Sequence, residues 1–187
     1  MKVSLVAIVG IFLLWLCGLF VVQPFIISSD SMQPALKSGD RILVNRTAYW
    51  SARIARGDLI VFEGQNSFSA ESGSFVKRVI GIGGDRIACC TEAGHLSING
   101  AAVTENSYLY PGDLPSEVPF DALVPDGKLW VMGDHRSESA DSRSHLGDPG
   151  GGFVLESKVV GQARFVIWPP TRWQPLDSYS FKELNSW

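Results

Sequence analysis

Three short stretches of the chain hold residues that could do chemistry. The first, Ser28-Ser29-Asp30-Ser31-Met32-Gln33-Pro34, crowds three serines into one polar patch. A serine hydroxyl is a weak nucleophile until a neighbouring base takes its proton. The second, Phe75 to Ile80 (FVKRVI), reads as a strand with a lysine inside it. A period of two places Phe75, Lys77 and Val79 on one face and Val76, Arg78 and Ile80 on the other. If the lysine's face meets a core or groove, desolvation lowers its pKa and leaves some free amine at neutral pH. A neutral lysine is a competent base for a serine hydroxyl. If that face meets water, Lys77 is an ordinary solvated lysine whose stem covers apolar surface. The third stretch, residues 133–143 (GDHRSESADSR), gathers Asp134, Arg136, Glu138, Asp141 and Arg143 among serines. Such a set can fix a loop at an active site or consist of incidental surface pairs, and composition does not choose. A Ser-His-Asp arrangement of Ser31, His135 and Asp134 or Asp141 stays open too, although no G-x-S-x-G elbow accompanies it.

Metal chemistry fails on spacing. The histidines are His95, His135 and His145, with no H-E-x-x-H pattern and no ordered acidic loop for calcium. Cys17 lies within an apolar run, and Cys89 and Cys90 are adjacent, which suits neither a metal nor an unstrained disulfide. Two reduced or loosely oxidised thiols in a strand or turn are expected there. No cofactor is called for. The net charge of -3 and the scattered basic residues give no footprint for nucleic acid.

The elements that must position these residues follow from pattern. Residues 3–22 carry no charge, enough for about 30 Å of helix. No A-x-A cleavage pattern follows the run, so a retained transmembrane anchor is expected rather than a cleaved signal peptide. Lys2 before it sets the N-terminus inside and the rest of the chain outside. Beyond the run, 19 glycines and 10 prolines in the 187-residue chain favour many short strands. Strands are expected near 41–49, 59–62, 75–80, 129–132 and 159–168, with a hairpin turning at Ile98-Asn99-Gly100. Residues 104–127 read as a long loop or the edge of a small lobe. No long helix is expected after the anchor.

Four separated motifs then carry a resemblance. Ser29-Asp30-Ser31-Met32-Gln33-Pro34 with Leu36 resembles a nucleophile box, S-x-S-M-x-P-[TS]-L. Arg56-Gly57-Asp58 with Val61-Phe62 resembles an R-G-D strand box. Lys77-Arg78-Val79-Ile80-Gly81 through Gly84-Asp85 resembles a lysine box. Gly133-Asp134-His135-Arg136 with Ser139, Asp141, Ser142 and Arg143 resembles G-D-N-R-x-x-S-x-D-S-R. In this order the chain resembles the bacterial type I signal peptidases (leader peptidases) of the Ser-Lys dyad class, with the look of Gram-positive, actinobacterial members. It departs from the pattern at Ser28, Asp30, Ala35, His135 and Ser137-Glu138. None of these positions is a catalytic group of the family.

The resemblance implies a fold and a set of roles. The fold is mainly β, an antiparallel catalytic core with a small inserted lobe at about 86–128. Residues 1–24 would be the anchor and 25–187 an extracytoplasmic peptidase domain. Ser31 takes the nucleophile's place and Lys77 the base's. Ser29, with the Ser31 amide, takes the oxyanion hole, and Ser139 the place that orients the lysine. Ile27, Met32, Phe75 and Val76 take the shallow substrate pockets, and Arg78, Asp134, Asp141 and Arg143 support the loop. The implied reaction removes signal peptides from exported preproteins, cutting after small residues of A-x-A type. The implied partners are those preproteins and the lipid bilayer, with possible proximity to the export translocon. The implied place is the cell membrane, with the catalytic domain on its outer face. Rival readings are a narrower Ser-Lys maturation peptidase for a pilus or conjugation protein, a self-cleaving repressor relative, and an inactive peptidase-like tethered binding domain. The anchor and the lack of a DNA-binding region disfavour the repressor. The full set Ser31, Lys77 and Ser139 separates the enzymes from a binding domain.

Overall fold

The computed structural model describes residues 7–10, 18, 21–65, 73–148, 150–179 and 181. Strands dominate it. They are β1 (Val22–Ile26), β2 (Arg41–Asn45), β3 (Leu59–Glu63), β4 (Ser74–Ile82), β5 (Arg86–Cys89) and β6 (Ser97–Ile98). Then follow β7 (Ala101–Ala102), β8 (Phe120–Leu123), β9 (Lys128–Met132), β10 (Val154–Leu155), β11 (Val159–Trp168) and β12 (Gln174–Pro175). The larger sheet runs β1-β2-β11-β3-β4-β9-β10, with β12 added to β11. The smaller runs β7-β6-β5-β8. The strand pairs are antiparallel throughout, which matches the mainly β expectation.

Burial explains these strands. Ile60, Phe62 and Val79 pack with Leu129 and Val131 on one side of the large sheet, where the partly buried Phe75 joins them. Val44, Leu59 and Val61 pack with Ile27, Met32 and Leu36 on the other, joined by Val76. The alternation expected for β4 is therefore real over 75–79. A register shift between Val79 and Gly81 then bends β4 beside β9. Past this bend Ile80, Trp130 and Met132 share a core with Ile87, Leu96, Ile98 and Phe120 of the smaller sheet. That core joins the two sheets. Asn99 and Gly100 take φ of 54° and 83° between β6 and β7, the left-handed pair that a two-residue hairpin turn requires.

The expected transmembrane helix over 3–22 is corrected. Among the described residues no helix is long and apolar enough to cross a membrane. Residues 7–10, 18 and 21 are helical, and the rest of 3–21 lies outside the described residues. Val22, the last residue of that run, opens β1 and pairs with Asn45, so the expected boundary at 24 falls inside a strand. Hydropathy reports the apolar run but not which part the sheet will claim. The anchored fold class, the single-pass topology with an outer-face domain, and the bilayer as a partner were expected from that helix, and no spanning helix among the described residues carries them. Residues 104–127, expected as a long loop or the edge of a small lobe, contain β8, which lies at the edge of the smaller sheet.

Candidate active site

The turn that carries Ser31 is built by closure at its base. Ile27 N–H donates to Asp40 O at 2.8 Å, and Gly39 N–H returns to Ile27 O at 2.8 Å. Asp40 receives Arg172 Nε and NH2 at 2.9 Å each, which ties this closure to the segment after β11. Met32 and Leu36 are fully buried beneath the turn. With its base and underside held, the turn presents Ser31 inward, only 5% exposed. Asp30 points away, and its carboxylate caps Ser38 N–H at 3.0 Å. That bond heads the causes that lower the Asp30 pKa.

Lys77 meets this serine from β4, where it pairs in register with Ile60. Lys77 Nζ donates to Ser31 Oγ at 2.7 Å, and the lysine is 4% exposed. Ser29 Oγ lies 3.3 Å from the same Ser31 oxygen. Burial brings the Lys77 pKa down to about 8, against the upward pull of Asp141 and Asp134 and with a further downward push from Arg143. An amine with that pKa is partly neutral near pH 7, so it can accept a hydroxyl proton. The serine, the lysine and the second serine thus come together from sequence positions 46 residues apart and more.

The charged loop after β9 closes around them. Arg78 Nε and NH2 grip Asp134 at 2.8 and 2.7 Å, while its NH1 donates to Gly57 O at 2.9 Å. The Arg78 guanidinium also lies 4.5 Å from the centre of the Tyr108 ring. Burial pushes the Asp134 carboxyl upward, against Arg78, and leaves it raised. Asp141 accepts Gly133 N–H at 3.0 Å and a fork from Arg143 at 2.8 Å twice. Burial pushes the Asp141 carboxyl up as well, yet Arg143 and the Gly133 amide hold it below the usual range. Ser142 ties the loop back to β9 by accepting Val131 N–H at 2.9 Å. The R-G-D and lysine boxes are joined in turn, since Arg56 forks onto Asp85 at 2.7 and 2.6 Å.

Gly133 stands where these pieces touch. A Cβ there would collide with the Ser139 side chain and with the Ser31 carbonyl oxygen. His135 N–H donates to that same carbonyl at 3.1 Å. The His135 ring stacks on Tyr110 with centres 3.8 Å apart, and its Nδ1 lies 3.3 Å from Asp30 O. Ser139 Oγ is buried with no hydrogen bond of full geometry, and Asp141 is the carboxylate it helps to lower. Of the four residues expected to line substrate pockets, Ile27, Met32 and Val76 share one cluster. Phe75 lies across the strand, stacked on Phe62 with centres 5.8 Å apart. Among the described residues no group of His, Cys, Asp or Glu is arranged to hold a metal ion.

Sequence reasoning missed Glu105 and Tyr108. Both are buried, and the Tyr108 hydroxyl donates to Glu105 Oε1 at 2.5 Å. Arg136 forms a buried ion pair with that carboxylate. They come from a stretch whose local pattern is a loop, and residues 133–143 already hold three acids for two arginines, so the sequence carried no signal of a distant acid.

Comparison with known proteins gives the family of the chain. A family model described as signal peptidase, peptidase S26 matches residues 1–168. A probable signal peptidase I of Mycobacterium leprae is 33% identical, over 96% of this chain and 80% of that protein. Signal peptidase IB of Staphylococcus aureus (strain MRSA252) is 30% identical, over 95% of this chain and 92% of its own length. The crystal structure of a signal peptidase I from Enterococcus faecalis V583 covers 59% of this chain and 97% of its own at 24% identity. Its TM-score of 0.44 is too low for that likeness to add to the assignment.

Proposed function

The chain belongs to the signal peptidase family, peptidase S26, and is a serine endopeptidase of the signal peptidase I class; on that premise we propose that it cuts signal peptides from exported preproteins through Ser31 and Lys77. The observation that carries this reading is the 2.7 Å bond between Lys77 Nζ and Ser31 Oγ, with both residues buried. In this reading residues 86–128 are the inserted lobe of the peptidase domain.

The chemistry proceeds in two halves. Neutral Lys77 takes the Ser31 proton, and the alkoxide oxygen bonds to the scissile carbonyl carbon. Ser29 Oγ–H and the Ser31 amide donate to the developing oxyanion, and each such donor is typically worth about 2.7–4 kcal/mol. The C–N bond then breaks, and the leaving amine takes the proton from Lys77. Lys77, neutral again, takes a proton from water, whose oxygen bonds to the ester carbonyl carbon; the C–O bond to Ser31 then breaks, Lys77 returns the proton to Ser31 Oγ, and the signal peptide leaves as a carboxylic acid. Ile27, Met32 and Val76 limit the side chains accepted before the cut to small ones, hence the A-x-A preference, while Phe75 closes the lysine's face. In this reading Ser139, set against Gly133, orients the Lys77 amine when substrate is bound.

The test is cleavage of a preprotein with an A-x-A site. Wild type should cut it, and Ser31→Ala should not. The kcat/KM of wild type should rise with pH through about 8, as Lys77 loses its proton. Cleavage by purified Ser31→Ala at the wild-type rate would end the proposal.

A further inference from the structure

We propose that Glu105, on the segment between β7 and β8, is a positioning residue for the Ser31–Lys77 reaction, acting through Arg136 and Gly133. The inference rests on the function proposed above and adds a residue outside all four motifs. Arg136 is spread over three anchors. Its Nε donates to Gly133 O at 2.9 Å, its NH1 to Pro115 O at 2.6 Å, and its two terminal nitrogens fork onto Glu105. The side chains of Arg136 and Glu105 are 1% and 2% exposed. A guanidinium buried to that degree needs a countercharge. Asp134 and Asp141 are already engaged by Arg78 and Arg143, so the countercharge comes from Glu105.

What Arg136 holds is the residue that leaves no slack. Gly133 fits between the Ser31 carbonyl and the Ser139 side chain with no room for a methyl group. Its N–H is fixed by Asp141 and its C=O by Arg136. Both ends of this peptide segment are thus set by buried ion pairs, one within the loop and one reaching to the inserted segment. Arg143 NH2 also donates to Arg136 O at 2.8 Å, which couples the two pairs. Tyr108 Oη–H on Glu105, with the Tyr108 ring against Arg78, places the carboxylate relative to β4. The inserted lobe therefore holds the wall against which Ser31 is set, without touching substrate.

The experiment compares Glu105→Gln with the double variant Glu105→Leu/Arg136→Met on the same A-x-A substrate, below the melting temperature of each. Glu105→Gln should lower kcat by about 10²-fold with KM little changed, as expected when reacting groups are misplaced by about 1 Å. The double variant removes both charges, and apolar replacement of a buried pair is often neutral for stability. Its melting temperature should return close to wild type while its kcat stays low, because the Gly133 carbonyl has lost its donor. A double variant that regained wild-type kcat together with its melting temperature would make the pair purely structural and overturn the inference. Wild-type kcat in folded Glu105→Gln would overturn it as well, and that arm decides if the double variant does not fold. Cleavage by Ser31→Ala in parallel would show instead that the underlying catalytic reading had failed.

Discussion

Two arginine–carboxylate forks of nearly the same geometry occupy opposite situations in this molecule. Arg78 grips Asp134 at 2.8 and 2.7 Å beside the Ser31–Lys77 pair, and Arg86 grips Asp121 at 2.8 and 2.5 Å on the smaller sheet. The side chains of the first pair are 3% and 0% exposed, and those of the second 67% and 51%. Water screens the second pair and competes for its hydrogen bonds, so it holds nothing that the sheet does not already hold. The first pair cannot exchange its partners for water. Removing one member leaves a buried charge, and the loop must keep its geometry or unfold. The same side-chain chemistry is decoration in one region and architecture in the other, and burial alone makes the difference. It also acts on Lys77, whose ammonium has no carboxylate fork of its own and responds by releasing its proton more readily.

The largest expected effect falls on the buried side. Lys77→Arg should lower kcat by at least about 10³-fold, because a guanidinium does not supply a neutral base near pH 7. A rate within tenfold of wild type would mean that burial at this site does not serve proton transfer. Next comes Asp134→Asn, which strands the Arg78 guanidinium. It should cost about 3–5 kcal/mol, read as a fall in melting temperature of roughly 10 °C. A fall no larger than that of an exposed pair would erase the contrast.

A subtler test uses pH. The Lys77 pKa is lower in the folded chain, about 8 against an ordinary 10.5. Between those values the unfolded chain binds the extra proton, so wild-type stability from this group rises with pH. Below about pH 8 both states are protonated, and the whole burial cost stands. Lys77→Met should therefore melt above wild type at pH 6, and the gain should shrink as pH rises from 8 to 10. A gain independent of pH would locate the effect in packing. The smallest effect belongs to Arg86→Ala, for which neither melting temperature nor kcat should change measurably.

Much of the site was legible because its chemistry is local in sequence. Ser29 and Ser31 sit two residues apart on one turn, and Lys77 declares itself by interrupting an apolar strand. The alternation of Phe75, Lys77 and Val79 against Val76 and Arg78 survived folding, since the sheet has apolar partners for both faces. The same alternation packs Phe75 with Phe62 and Val76 with Ile27 and Met32. The apolar run at 3–22 was misread at its end because hydropathy is blind to strand pairing, and Val22 belongs to β1. β8 was hidden because its strand signal is four residues long and half exposed.

The sequence by itself determined which groups are present and how each strand divides its faces: the serines, the lysine, the alternation along β4, the hairpin at Asn99-Gly100 and the charged loop after β9. These depend on residue type and on periods of two or three residues, which chain geometry imposes locally. Only the tertiary structure decided that Lys77 lies 2.7 Å from Ser31, that Arg136 finds its acid at Glu105, and that Gly133 has no room for a side chain. Each of these depends on what lies across a gap in sequence of tens of residues. Desolvation is the sum of all such neighbours, and so the buried ion pairs and the pKa of Lys77 exist only once the chain has closed around them.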